Sequence, residues 1–245
     1  DKHEHARVIE IVINETKGRV PVIAGTGSNS TKEAIEMTKH AEDAGASASL
    51  QVCPYYNRPT QDGLLGHFEA IAKETQLPLI IYNIPSRSGR LIEAKTMIAL
   101  SRIDNIIGMK DACGDLMVTM EIMRVTCNST KKFYVLCGED ALTFSMMVLG
   151  GDGGILAVAH IIGKEYREMI KLCLSGNIDK AREIHFKTLS VVKALFIETN
   201  PVPVKEAMAM MGLPAGNPRL PLVPLKAENR GVMRQVLIKS ELLKG

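Results

Sequence analysis

Apolar residues along this chain follow two alternating rhythms. Short unbroken runs of Val, Ile, Leu and Ala are bounded by Gly, Pro, Asn or Asp. Between them lie longer stretches in which apolar positions recur three and four residues apart. The first rhythm is that of strands buried on both faces, the second that of amphipathic helices. The runs predict six strands: Val20–Gly25, Ala48–Cys53, Pro78–Asn83, Ile106–Asp111, Phe133–Gly138 and Gly154–Ala159. The periodic stretches predict a helix over 2–16, striped by Ala6, Ile9, Val12 and Ile13, with Gly18 as its C-cap. Further helices are predicted over Thr31–Gly45 (N-capped by Ser30 or Thr31), Gly63–Thr75, Ile92–Ile103, Leu116–Thr126 and Ala141–Leu149. After Gly163 the pattern is helical to the end, interrupted by Asn200-Pro201-Val202-Pro203 and by the Pro-rich 214–224 stretch.

Strict alternation of strand and helix means parallel strands joined by right-handed crossovers. Two architectures compete. An open doubly wound sheet usually carries a glycine fingerprint at its first strand-to-helix turn. A (β/α)8 barrel has eight strands and typically about 250 residues. Six strands fall two short of the barrel, and the chain opens inside a helix. The expected fold is an α/β chain, a (β/α)8 TIM barrel over 1–163 with its first two strands absent from this sequence, and a C-terminal helical region over 164–245.

Composition narrows the function. The chain has 245 residues, 46% of them hydrophobic, enough for a sizeable core. A net charge of +3 and 4% aromatic residues give neither a basic groove nor stacking platforms for nucleic acid. No apolar run approaches the roughly 20 residues that span a bilayer. The opening Asp-Lys-His-Glu-His has no signal-peptide pattern. Cys53, Cys113, Cys127, Cys137 and Cys173 are odd in number and lack CxxC spacing. Reduced thiols in a cytoplasmic protein fit this better than a disulfide frame or a zinc site, and no cofactor or metal is expected.

The candidate chemistry sits at the carboxyl ends of the strands, where a barrel places its active site. The run Ile106-Ile107-Gly108-Met109 leads straight into Lys110. Its stem can pack while the ammonium reaches water. Alternatively, burial can lower the amine's pKa and leave a nucleophile that forms a Schiff base with a carbonyl. The preceding strand ends in Tyr82, whose phenol can relay protons, and Arg87 follows, able to fork a carboxylate. Amine, phenol and guanidinium at adjacent strand ends favour the Schiff-base reading. Gly25-Thr26-Gly27 can cradle an anion or simply lead into an N-cap. Tyr55 and Tyr56 lie in a Pro-bounded loop; if it is extended, they point to opposite sides, one to an interface and one to a neighbour's site.

These segments resemble the dihydrodipicolinate synthase family of class I pyruvate lyases. The resemblance is carried by PVIAGTG from Pro21, PYYNRP from Pro54, YNIPSRSG from Tyr82, IIGMK ending at Lys110, Gly138-Glu139-Asp140 and NPVPVK from Asn200. It implies condensation of pyruvate with L-aspartate 4-semialdehyde in lysine and diaminopimelate biosynthesis. Lys110 would carry the imine, Tyr82 the centre of a proton relay, and Tyr56 a relay phenol donated by a partner subunit. Arg87 would bind the semialdehyde carboxylate, and Gly138 and Ile155 would line the pyruvate pocket. His5, Asn29, Glu33 and Tyr55 match the family's L-lysine effector site, and a homo-oligomer, dimer or tetramer, is implied. The family's Gly-Thr-Thr-Gly-Glu loop has no counterpart here, and Lys2 stands where relatives often carry His or Trp. Two alternatives stay open: another pyruvate lyase such as N-acetylneuraminate lyase, which Arg87 argues against, and a non-catalytic truncated paralogue.

Overall fold

The computed structural model describes residues 1–244. Contacts divide the chain into two compact units, Asp1–Leu136 and the residues from Cys137 on. In the first, α1 (Lys2–Thr16) is followed by β1 (Ile23–Gly25), α2 (Thr31–Asp43), β2 (Ala48–Val52), α3 (Gln61–Lys73) and β3 (Leu79–Asn83). Then come α4 (Pro85–Ser88), α5 (Ala94–Leu100), β4 (Ile106–Asp111), α6 (Leu116–Thr126) and β5 (Tyr134–Cys137), whose last residue opens the second unit.

These strands lie side by side in chain order, and the registered pairs β1–β2, β2–β3 and β3–β4 are all parallel. Every crossover therefore steps in one direction. A doubly wound sheet must reverse its order at a switch point, so this arrangement excludes that alternative. The helix side of the sheet forms a dry layer. Leu79 and Ile81 of β3, Ile106 of β4, Phe68 of α3, Met97 of α5 and Ile122 of α6 are all fully buried. Gly108 is required within β4, since a Cβ there would stand 2.5 Å from the Tyr134 carbonyl oxygen. Where β4 begins, Lys131 Nζ donates to the carbonyls of Ser101 (3.0 Å), Ile106 (2.8 Å) and Ile103.

The second unit opens with a 3-10 turn (Asp140–Leu142), then α7 (Thr143–Val148) and β6 (Gly153–Gly154). Helices α8 (Ala159–Leu174), α9 (Ile178–Leu195), α10 (Val202–Met210) and α11 (Ala227–Lys239) follow. They share a core that includes Tyr166, Met169, Leu195, Val204 and Met233.

The structure corrects several boundaries. The first predicted strand starts only at Ile23, after Pro21, which has no N–H to donate; β1 is also thinly covered, with Ile23 38% exposed. In α1 the buried side is Ile9, flanked by half-buried Ala6 and Ile13, while Val12 is 44% exposed. Two successive left-handed residues end α1: Lys17 (φ 50°) is the cap residue, and the expected Gly18 (φ 71°) follows it. Residues 85–88, for which no element was predicted, form α4, with Pro85 fixing φ at the first helical position and Gly89 closing it. The run Gly154–Ala159 leaves the strand after Gly154 and turns, so α8 starts at Ala159 and contains Gly163. A short apolar run does not distinguish strand from helix, and here Asp140 takes two of its N–H groups.

Candidate active site

Tyr82 and Lys110 are register partners on β3 and β4. Register partners on parallel strands point to the same face. Lys110 Nζ accordingly sits 3.9 Å from the centroid of the Tyr82 ring, and both side chains are half-buried. The ring face attracts the ammonium electrostatically and holds it within reach of the sheet's carboxyl edge.

The next register pair, Asn83 and Asp111, points to the opposite face and is buried. Asn83 Nδ2 donates to Asp111 Oδ1 at 3.2 Å, and Asn83 Oδ1 accepts from the Ile92 N–H at 3.0 Å. Asp111 also accepts from the Thr119 hydroxyl at 2.5 Å and from the Cys113 N–H at 3.3 Å. The Ala112 N–H donates to the Asn83 carbonyl, and the Cys53 N–H to that of Tyr82, each at 2.9 Å. This buried lattice ties the ends of β2, β3 and β4 behind the face that carries Tyr82 and Lys110. Asn83 and Asp111 were not singled out from the sequence. The signal was there: the same polar alternation, Tyr-Asn and Lys-Asp, ends two successive strands.

Burial and a neighbouring carboxylate make the Cys113 thiol a poor nucleophile. Desolvation, then the charge of Asp111, pushes it up to about 12.

Tyr56 lies on the loop after β2, and Arg87 in the connection after β3 that includes α4. Arg87 is exposed on α4. The two loops are tied: Arg90 Nε donates to the Pro59 carbonyl at 2.6 Å, and Gln61 Nε2 to that of Leu91 at 2.9 Å. The Tyr55–Pro59 loop is not extended. Tyr56 (φ 71°) and Arg58 (φ 45°) are left-handed, and the Asn57 N–H donates to the Tyr55 carbonyl at 2.9 Å. The two tyrosines therefore diverge at a bend rather than by strand alternation. Tyr56 is 91% exposed and Tyr55 42%.

Three of the four effector-site candidates, His5, Glu33 and Tyr55, line one cavity of about 310 Å³ together with Lys2, Gly27 and Ser28. Asn29 does not line it; its carbonyl accepts from Asn57 Nδ2 at 3.0 Å. The Glu33 carboxylate in this cavity is already engaged. Glu33 pairs with Lys2 Nζ at 2.8 Å and accepts from the Ser28 hydroxyl at 3.0 Å. The Lys2 ammonium, then the Ser28 hydroxyl, holds the Glu33 carboxyl below its usual range, and Lys2 is raised in return. The His5 ring donates from Nε2 to the Gly25 carbonyl at 2.8 Å. The glycine-rich turn serves packing, because a Cβ on Gly27 would meet Val52 N at 2.4 Å; Ser30 caps α2.

Gly138 and Ile155 belong to the second unit. The Ile155 N–H donates to the Cys137 carbonyl at 2.9 Å, so Ile155 lies one residue beyond β6. Among the described residues no three His, Cys, Asp or Glu side chains group as metal ligands, and no helix is long and apolar enough to cross a membrane.

Comparison with known proteins supplies a family. The model of the Dihydrodipicolinate synthetase family matches residues 1–240. The chain is 45% identical over 242 residues to the 4-hydroxy-tetrahydrodipicolinate synthase of Methanothrix thermoacetophila, covering 99% of this chain and 81% of that one. Dihydrodipicolinate synthase from Acinetobacter baumannii, solved with pyruvate, superposes with a TM-score of 0.95 at 40% identity, covering 99% of this chain and 82% of that one. The enzyme from Cyanidioschyzon merolae with lysine bound gives a TM-score of 0.94 at 40% identity, covering 98% and 81%. A monomeric synthase variant gives a TM-score of 0.95 at 36% identity, covering 99% and 81%.

Proposed function

Because the chain belongs to the dihydrodipicolinate synthetase family, we infer that the Lys110–Tyr82 pair carries the family's reaction. The activity is that of a lyase, 4-hydroxy-tetrahydrodipicolinate synthase, which condenses pyruvate with L-aspartate 4-semialdehyde in lysine biosynthesis. One observation carries the assignment of roles: the Lys110 amine lies over the Tyr82 ring, in register, at the end of adjacent parallel strands.

The Lys110 amine attacks the keto carbon of pyruvate and expels water to form an imine. Loss of a proton from the methyl carbon gives an enamine, whose carbon adds to the aldehyde of the second substrate. The amino group of the joined product then attacks the imine carbon, closing the ring and freeing Lys110. Net, two substrates give one cyclic product and one water. Tyr82 moves protons in the addition, dehydration and release steps. Arg87 forks the carboxylate of the semialdehyde, and Gly138 and Ile155 take the pyruvate-pocket role. Arg87 favours this substrate over the sugar aldehyde of N-acetylneuraminate lyase, and the relatives' identities weigh against a non-catalytic paralogue.

Strands laid in chain order, with coverage of 81–82% of the superposed relatives, support reading the six strands as part of a (β/α)8 barrel. The assembly is a homo-oligomer in which Tyr56 reaches a neighbouring site. A non-glycine left-handed residue costs about 1–2 kcal/mol, and Tyr56 bears that strain while 91% exposed. Strain without burial is what a residue waiting for a partner surface would show. L-lysine is the effector assigned to the cavity at His5, Asn29, Glu33 and Tyr55. Separate kinetics of imine formation and of condensation test the division of roles: Tyr82→Phe slows both, and Arg87→Ala slows only condensation. Loss of imine formation in Arg87→Ala overturns it.

A further inference from the structure

Asp140 is 1% exposed and stands two residues after Gly138. Its carboxylate accepts the Val158 N–H at 2.6 Å and the Ala157 N–H at 3.4 Å. Its own carbonyl accepts from the hydroxyls of Tyr166 and Thr143, each at 3.0 Å. On the other flank the Ile155 N–H is held by the Cys137 carbonyl. The segment 155–158 is thus pinned at one end by the residue before Gly138 and at the other by Asp140.

Local bonding explains why a carboxylate is needed. The carbonyls of Leu156, Ala157 and Val158 accept from Ala159, His160 and Ile161, starting the turn that becomes α8. The N–H groups of Ala157 and Val158 are then first-turn donors with no helical acceptor, at the end of the helix that favours an anion. Asp140 supplies both acceptor and charge from a distant point in the chain.

We propose that Asp140 is a positioning residue for pyruvate: by clamping 157–158 it sets the separation between Gly138 and Ile155. This rests on the reading of those two residues as pyruvate-pocket residues. A carboxylate that merely caps α8 would contribute stability and leave pyruvate recognition alone. A clamp on the pocket moves the KM for pyruvate and not that for the semialdehyde.

The test compares Asp140→Ala, Asp140→Asn and Ile155→Ala, each checked for folding by circular dichroism, with KM measured for both substrates. Asp140→Ala raises the pyruvate KM by up to about a hundredfold, the scale of a 1 Å misplacement, with the semialdehyde KM unchanged. Asp140→Asn raises it less, because its amide oxygen still accepts the Val158 N–H. Ile155→Ala raises the pyruvate KM on its own account. Folded Asp140 variants with wild-type pyruvate KM, beside a shifted Ile155→Ala, overturn the positioning role alone. If Asp140→Ala does not fold, Asp140→Asn decides by the same criterion. An unmoved pyruvate KM in Ile155→Ala overturns the pocket reading and the proposal with it.

Discussion

Lys110 and Tyr82 face each other across β4 and β3 as register partners, the amine 3.9 Å from the ring centroid. One step further along the same strands, Asp111 and Asn83 are hydrogen-bonded on the opposite face. The Lys110–Tyr82 pair and the buried pair behind it therefore share one register, and shifting either strand would misplace both.

Cutting the buried bond should show this coupling. Asn83→Ala removes the amide that donates to Asp111 and accepts from Ile92, leaving buried polar groups unpaired. The expected loss is about 1–3 kcal/mol of stability, measured by urea unfolding, with slower imine formation in the folded fraction. A variant as stable and as fast as the parent would show that the lattice does not position Lys110.

Arg87 should separate the substrates. Arg87→Ala is expected to leave pyruvate imine formation unchanged. It should weaken use of the semialdehyde by about 1.5–3 kcal/mol, the value of a hydrogen bond to a charged group. Steady-state kinetics with each substrate varied in turn reads the split. Equal damage to both would contradict the assignment.

Much of this was legible in the chain. The apolar runs of β2, β3 and β4 fixed strand positions to within a residue, because strands buried on both faces leave little choice. Lys110 stood out as a cation ending such a run. Other features depend on contacts distant in sequence. The Gly154–Ala159 run reads equally well as strand or helix, and Asp140 decides it from another loop. Tyr56 and Arg58 are left-handed in a loop with no glycine to announce it. The Lys2–Glu33 pair joins the start of α1 to the first turn of α2, which no local pattern encodes.

That pair bears on the effector role proposed for its cavity. An incoming lysine ammonium must compete with Lys2 for Glu33. Lys2→Ala should therefore tighten L-lysine binding several-fold by calorimetry, and Glu33→Ala should weaken it. Unchanged affinity in both variants would remove this cavity as the lysine site.

His67 should make stability pH-dependent. Its ring is buried, with Nδ1 bonded to the Thr31 hydroxyl at 2.8 Å, and desolvation lowers its pKa from 6.5 to about 4. A base with a depressed folded pKa stabilises fully above its unfolded value. That contribution falls away as pH drops from 6.5 through 4, by roughly 3 kcal/mol in all. Unfolding free energies from pH 7.5 to 4.5 should decline less in His67→Gln than in the parent. Parallel curves would contradict the assignment.

The most direct test of the central claim is borohydride reduction in the presence of pyruvate, followed by peptide mass spectrometry. The account predicts a reduced pyruvyl adduct on the peptide containing Lys110, lost in a folded Lys110→Ala variant. An adduct on a different lysine, or none on an enzyme that is still active, would contradict it.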